Sequence, residues 1–255
     1  MRIIVEDKNI SDIPVLKVYD FDCQKIFPVV LMLHGYGGKK EDILETAYRI
    51  AKEGFCAIAF DAYYHGGLKG KEIENPQSYL ALKPGIVFDI FRETSKSIGR
   101  LLDACEDDHQ TDSHRTGLMG ISMGGNIIFD YISKGGKPRV KASVLILSSP
   151  VWSTVFKNFW TNQGMGDYLS EAEMTYLESI QPSNTLGNIR DVPLLLLNGD
   201  SDGIIAIKDV RDSYAELEKN YANKNVLNLI EYKGVGHQVT ADMIDQACCW
   251  FRKFV

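Results

Sequence analysis

Long apolar runs, paired cysteines and basic clusters are what this sequence lacks. No stretch approaches the roughly 20 apolar residues needed to span a bilayer, and the apolar run in Met1-Arg2-Ile3-Ile4-Val5-Glu6-Asp7 is too short for a secretory signal. The expectation is a cytoplasmic protein that makes no membrane contact. The cysteines Cys23, Cys56, Cys105, Cys248 and Cys249 are odd in number, scattered and without C-x-x-C spacing, which argues against a disulfide framework or a zinc site. They read as reduced thiols, most of them core filler. No lysine- or arginine-rich run exists, and a formal net charge of -6 repels a polyanion, so nucleic acid is not an expected partner.

What remains is an ordinary globular composition, 45% hydrophobic and 24% charged over 255 residues, long enough to bury a sizeable core in one α/β domain. Short apolar runs at 2–5, 15–19, 29–33, 55–60, 116–119, 142–147, 194–197 and 226–232 predict strands. The middle ones are apolar nearly throughout, as parallel strands covered on both faces must be. Helical spacing over 41–52, 86–105, 123–133, 208–220 and 241–254 predicts helices between them. Alternation of strand and helix after the first two strands predicts a doubly wound, mostly parallel sheet of about eight strands in a single domain, residues 1–255.

Two segments interrupt that rhythm. Residues 61–85 carry glycines, two prolines and Tyr63, Tyr64 and Tyr79, and predict a long loop over one edge of the sheet. Residues 150–191 are longer still and hold Trp152, Phe156, Phe159, Trp160, Met165, Tyr168 and Tyr176. Such aromatic content disfavours disorder, so the segment predicts an inserted helical cap. Its Trp152, Phe156 and Trp160 are candidate substrate-binding residues, the alternative being that they pack a small core of the insert's own.

The chemistry concentrates at strand ends. In Gly120-Ile121-Ser122-Met123-Gly124 a serine sits between glycines two residues away on either side, after a strand and before a helix, the context in which a nucleophile is thrust out on a sharp turn. In His34-Gly35-Tyr36-Gly37-Gly38 a second strand runs into a glycine-rich turn. Two backbone N–H donors from different segments make an oxyanion hole, and Tyr36 and Met123 are the candidates. A serine hydroxyl needs a base, and the base needs a carboxylate to orient it. Asn198-Gly199-Asp200-Ser201-Asp202 follows the strand at 194–197; Asp202, beyond the turn, is the candidate acid, while Asp200 suits a bond to the turn's own backbone. Of the five histidines, His109 and His114 lie in a polar stretch, and His65 could line the pocket or pin its loop. Only His237, in Gly234-Val235-Gly236-His237, combines a loop after a strand, glycine freedom and a position after the acid.

The order Ser122, Asp202, His237 resembles that of α/β-hydrolases, and the resemblance spans nearly the whole chain. Within that superfamily, His34-Gly35-Tyr36-Gly37-Gly38, Asp61 with His65-Gly66, and Gly120-Ile121-Ser122-Met123-Gly124-Gly125 are similar to small bacterial carboxylesterases related to dienelactone hydrolases and to the catalytic domain of prolyl oligopeptidases. The resemblance implies a serine esterase that uses the Tyr36 and Met123 amides as oxyanion donors; its mechanism requires no metal or organic cofactor, and the aromatics of 150–191, as an apolar wall, favour an uncharged, modest-sized ester of short to medium acyl chain. One departure is that dienelactone hydrolases use a cysteine where this chain has Ser122. A peptidase or thioesterase with the same residues, or a binding protein that keeps the shell without turnover, are the alternatives.

Overall fold

The computed structural model describes residues 1–23, 26–71, 73–135, 139–166 and 168–255. Glu72 and Asp167, inside the two long excursions, lie outside the described residues. All eight expected strands form: β1 (Ile3–Ile10), β2 (Ile13–Asp20), β3 (Phe27–Leu33), β4 (Cys56–Phe60), β5 (Thr111–Ile121), β6 (Val140–Ile146), β7 (Leu194–Gly199) and β8 (Leu227–Tyr232). They make one sheet in the order β1-β2-β4-β3-β5-β6-β7-β8. The first two strands pair antiparallel through a two-residue turn in which Ser11 and Asp12 both have positive φ, 50° and 62°. That is the backbone a tight hairpin requires. β2 runs antiparallel to β4, and every later pairing is parallel.

The helices are α1 (Leu44–Lys52), α2 (Pro84–Asp107), α3 (Met123–Ser133), α4 (Trp152–Asn162), α5 (Glu171–Ile180), α6 (Ile207–Asn220) and α7 (Ala241–Phe254). Alternation along the strands sends side chains to opposite faces, and β3 shows the result. Val29, Leu31 and Leu33 enter one core with residues of α2, α3 and α6. Val30 and Met32 enter a second core with residues of α1 and α7. Being buried on both faces is why these strands are apolar throughout.

β1 and β5 run longer than the apolar runs indicated. β5 starts at Thr111 because its polar first residues pair with Phe27 and Pro28 before a register shift. Residues 61–85 are not a plain loop beside an edge strand. They contain short 3-10 turns at Gly66–Leu68 and Pro76–Ala81, and they leave the carboxyl end of β4, an interior strand. The segment between β6 and β7 holds α4, α5 and a 3-10 stretch, Pro182–Asn188. It packs on α2 through Trp152 and Phe156, whose rings lie 4.8 and 5.2 Å from that of Phe91. Among the described residues no helix is long and apolar enough to cross a membrane.

Candidate active site

β5 ends at Ile121 and α3 begins at Met123, so Ser122 occupies a one-residue elbow with φ 55° and ψ -117°. A non-glycine residue there is strained, and the surroundings hold it. The Ser122 N–H donates to Ile146 O at 2.8 Å, and Asn126 N–H donates to Ser122 O at 3.0 Å. The flanking glycines are required by contact: a Cβ on Gly120 would lie 2.4 Å from the Gly124 carbonyl carbon, and one on Gly124 would lie 2.3 Å from Leu33 O. Strand and helix therefore pass closer together than any other residue permits. The amino end of α3 faces outward at the same point, which favours negative charge beside Ser122.

Two further strand ends converge on it. The loop after β7 places Asp202, whose side chain is fully buried, with Oδ2 accepting from His237 Nδ1–H at 2.7 Å. Its other oxygen accepts from the Ile204 and Ile205 amides at 2.8 and 2.9 Å. The loop after β8 carries His237, and its Nε2 lies 2.9 Å from Ser122 Oγ. Because Nδ1–H is committed to a carboxylate, Nε2 is the nitrogen free to take a proton from the hydroxyl. Asp200 does more than close its own turn: it accepts from Ser201 Oγ and from the Gly234 amide at 2.6 Å, tying the Asp202 loop to the His237 loop. Those bonds hold its carboxyl below the usual carboxylate range.

Tyr36 and Met123 flank the serine, and among the described residues neither amide N–H is used by another acceptor. The Tyr36 turn is braced from behind by two buried histidines. His34 Nδ1–H donates to Gly35 O at 2.8 Å while Nε2 accepts from the Ala62 amide at 3.1 Å. His65 Nδ1–H donates to Tyr63 O at 3.0 Å while Nε2 accepts from the Gly37 amide at 2.9 Å. Burial lowers both pKa values, that of His65 to about 3, so both rings are neutral and each bridges two backbone segments. Asp61, also fully buried, accepts from the Lys40 and Gly67 amides at 2.8 Å each. Tyr36 OH donates to Tyr79 O at 2.9 Å, and Tyr79 OH to Tyr64 O at 3.0 Å.

A cavity of about 290 Å³ opens onto Ser122 and His237. Its wall is apolar: Val87 and Phe91 from α2, with Val155, Phe156, Phe159 and Trp160 from α4. Phe156 and Trp160 stand at the wall and also pack on Phe91 and Tyr168. Trp152 and His65 do not line it. Trp152 stands behind the wall with its ring edge-on to Phe91. His65 is sealed away because both ring nitrogens serve backbone partners and its ring stacks on Tyr79 at 4.3 Å. Sequence reasoning missed Val87, Phe91, Asn126, Ile204 and Val239. The i, i+4 pair Val87 and Phe91 was visible as part of an apolar stripe, but nothing marked it as facing a cavity rather than core. On the far side of Phe156 and Trp160 a second groove of about 410 Å³ lies between α4 and α5. Among the described residues no cluster of His, Cys, Asp or Glu could hold a metal ion.

Known proteins share this architecture. The model of the dienelactone hydrolase family matches residues 16–246. The Bacillus subtilis (strain 168) protein named "Putative esterase YitV" is 26% identical over 264 residues, covering 98% of this chain and 99% of its own. Among solved structures, TT1662 from Thermus thermophilus superposes with a TM-score of 0.78 at 22% identity, over 99% of this chain and 98% of its own. The esterase Pf2001 of Pyrococcus furiosus does so with a TM-score of 0.67 at 15% identity, over 99% and 93%.

Proposed function

Because this chain belongs to the dienelactone hydrolase family, with the α/β-hydrolase fold and a hydrolase's function, we propose that it is a serine carboxylesterase acting through Ser122, His237 and Asp202. The observation that carries the reading is the relay of 2.9 Å from Ser122 Oγ to His237 Nε2 and 2.7 Å from His237 Nδ1 to Asp202 Oδ2. His237 takes the hydroxyl proton as Ser122 attacks the ester carbonyl, and Asp202 stabilises the imidazolium. The Tyr36 and Met123 amides hold the oxyanion, a contribution of about 3 kcal/mol for each such donor. Collapse of the tetrahedral intermediate expels the alcohol, which takes its proton from His237. Water activated by the same imidazole then cleaves the acyl-enzyme. Side chains and amides supply every step, so no metal or organic cofactor is called for.

The cavity narrows the substrate. Apart from His237, its wall carries no side chain that can be charged, so it suits an uncharged acyl group and offers nothing to pair with a carboxylate. Its volume suits a short to medium chain.

The test is a rate panel over p-nitrophenyl esters of graded length, acyl-CoA thioesters and aminoacyl anilides, with wild type and Ser122→Ala. Short to medium esters should be fastest, and Ser122→Ala should lose about 10⁴-fold or more in kcat. Preference for anilides or thioesters overturns the ester assignment. Failure of folded protein to take a fluorophosphonate at Ser122 overturns the serine assignment.

A further inference from the structure

Asn126 is the exception in the cavity. It lies on α3 one turn beyond Ser122, is 1% exposed, and lines a wall whose other polar side-chain groups are Ser122, His237, the Tyr36 hydroxyl and the Trp160 indole N–H, the last sealed from solvent without a partner among the described residues. Its orientation is settled by chemistry. Oδ1 accepts from the buried Ser149 amide at 2.9 Å, and only the oxygen end of the carboxamide can accept. The NH2 group is the other branch of the carboxamide; among the described residues no protein acceptor meets it, and it is not one of the side-chain atoms sealed from water, so it is open to the cavity until an acyl group covers it. The Tyr36 hydroxyl is already spent on Tyr79 O, so it does not compete for a ligand's oxygen.

An amide donor that a bound acyl group cuts off from water costs free energy unless something on that group accepts from it. Resting on the esterase reading, we infer that Asn126 Nδ2 is a specificity-determining donor, and that the acyl group of the substrate carries an oxygen, as ether, carbonyl or hydroxyl, which accepts from it. One helical turn is about 5.4 Å along the axis, so that oxygen lies about three or four atoms from the scissile carbonyl carbon. A site built around a hydrogen bond discriminates strongly against an analogue without one, because the pocket's polar group is then left bare. A plain alkyl chain is accordingly the poorer substrate.

The experiment uses isosteric pairs of p-nitrophenyl esters: pentanoate against 3-methoxypropanoate, and hexanoate against 4-methoxybutanoate. Each ratio of kcat/KM is divided by the pair's ratio of alkaline hydrolysis rates, which removes intrinsic reactivity. Wild type should favour the ether in at least one pair by about tenfold. Asn126→Asp keeps an oxygen for the Ser149 amide and replaces the donor by an acceptor, so the ratio should fall to about one or below. Fluorophosphonate labelling of Ser122 checks that this variant is folded. A wild-type ratio near one in both pairs overturns the inference without reference to any variant, as does an ether preference retained by labelled Asn126→Asp. Absence of turnover on all four esters is a different outcome, which sinks the esterase reading beneath it.

Discussion

At the carboxyl ends of β3 and β5, the chain around Ser122 and Tyr36 is held by backbone contacts and buried hydrogen bonds. Across the cavity, α4 presents Phe156, Phe159 and Trp160 by ring packing, with Trp160 stacked at 3.9 Å on Tyr168 and 6.2 Å from Tyr36. The first region is over-determined: glycine contacts below 2.5 Å for an added Cβ, two neutral histidines each bridging two segments, and a sealed carboxylate on two amides. The second region can be repacked ring by ring. The two are not independent, since Asn158 and Asn162 of α4 donate at 3.1 Å to the carbonyls of Ile204 and Gly203, in the loop that carries Asp202. Main chain fixes the strand-end turns and side chains shape the cavity wall, so the wall can be recut without moving the turns beneath it.

The contrast can be broken most severely at Gly124. Gly124→Ala drives a methyl into Leu33 O and His34 O, main-chain atoms that cannot step aside, and should cost about 3 kcal/mol or more in urea unfolding. His65→Leu removes the acceptor for the Gly37 amide beside the Tyr36 donor. On the best ester, kcat should drop about 10- to 100-fold with KM little changed, and His65→Gln, whose Oε1 can still accept, should recover most of it. An equal loss in both variants, or a loss confined to KM, argues against this positioning role.

The same histidine sets a pH dependence. Its folded pKa of about 3 lies below the ordinary value near 6.5, so between those limits the unfolded chain binds the extra proton. Stability is full above about pH 6.5 and falls as the pH drops toward 3, by up to about 1.4 kcal/mol per pH unit for each such histidine. His34, shifted the same way by burial, adds to the slope. His65→Gln should flatten the urea-unfolding free energy between about pH 6 and 4 by close to one proton, and an unchanged slope contradicts the neutral buried ring. The smallest effect belongs to the wall. Phe156→Leu should move the favoured acyl length up by about one or two carbons, a several-fold change in kcat/KM ratios with kcat on short esters nearly unaffected. An unchanged length profile would mean that Phe156 does not bound the acyl site.

How much of this was legible depended on which interactions carry sequence patterns. Strands buried on both faces, such as β3, β4 and β7, announce themselves as apolar runs, and the half-exposed edge strands β1 and β8 still carry short ones, so all eight are visible. Their lateral order, with β4 between β2 and β3, is not, because periodicity is silent about neighbours. Ser122, Asp202 and His237 were legible from residue types at strand ends, and the three side chains lie within bonding distance. His65, beside Gly66 and Gly67, reads from the sequence equally as pocket wall or loop pin, since only the fold brings the Gly37 N–H to its ring. Trp152 could not be told from Phe156 and Trp160, as all three are aromatic residues at helical spacing on α4. Asn126 carried no signal, because its significance is a wall of apolar partners contributed by α2 and α4.

The left-handed backbone at residue 122 has a consequence for any effort to harden this protein. The strain is a property of having a Cβ there, so alanine at that position inherits it while glycine escapes it. The sturdiest version of the elbow is therefore one with no hydroxyl at all, and selection for thermal endurance alone would drift toward glycine at residue 122.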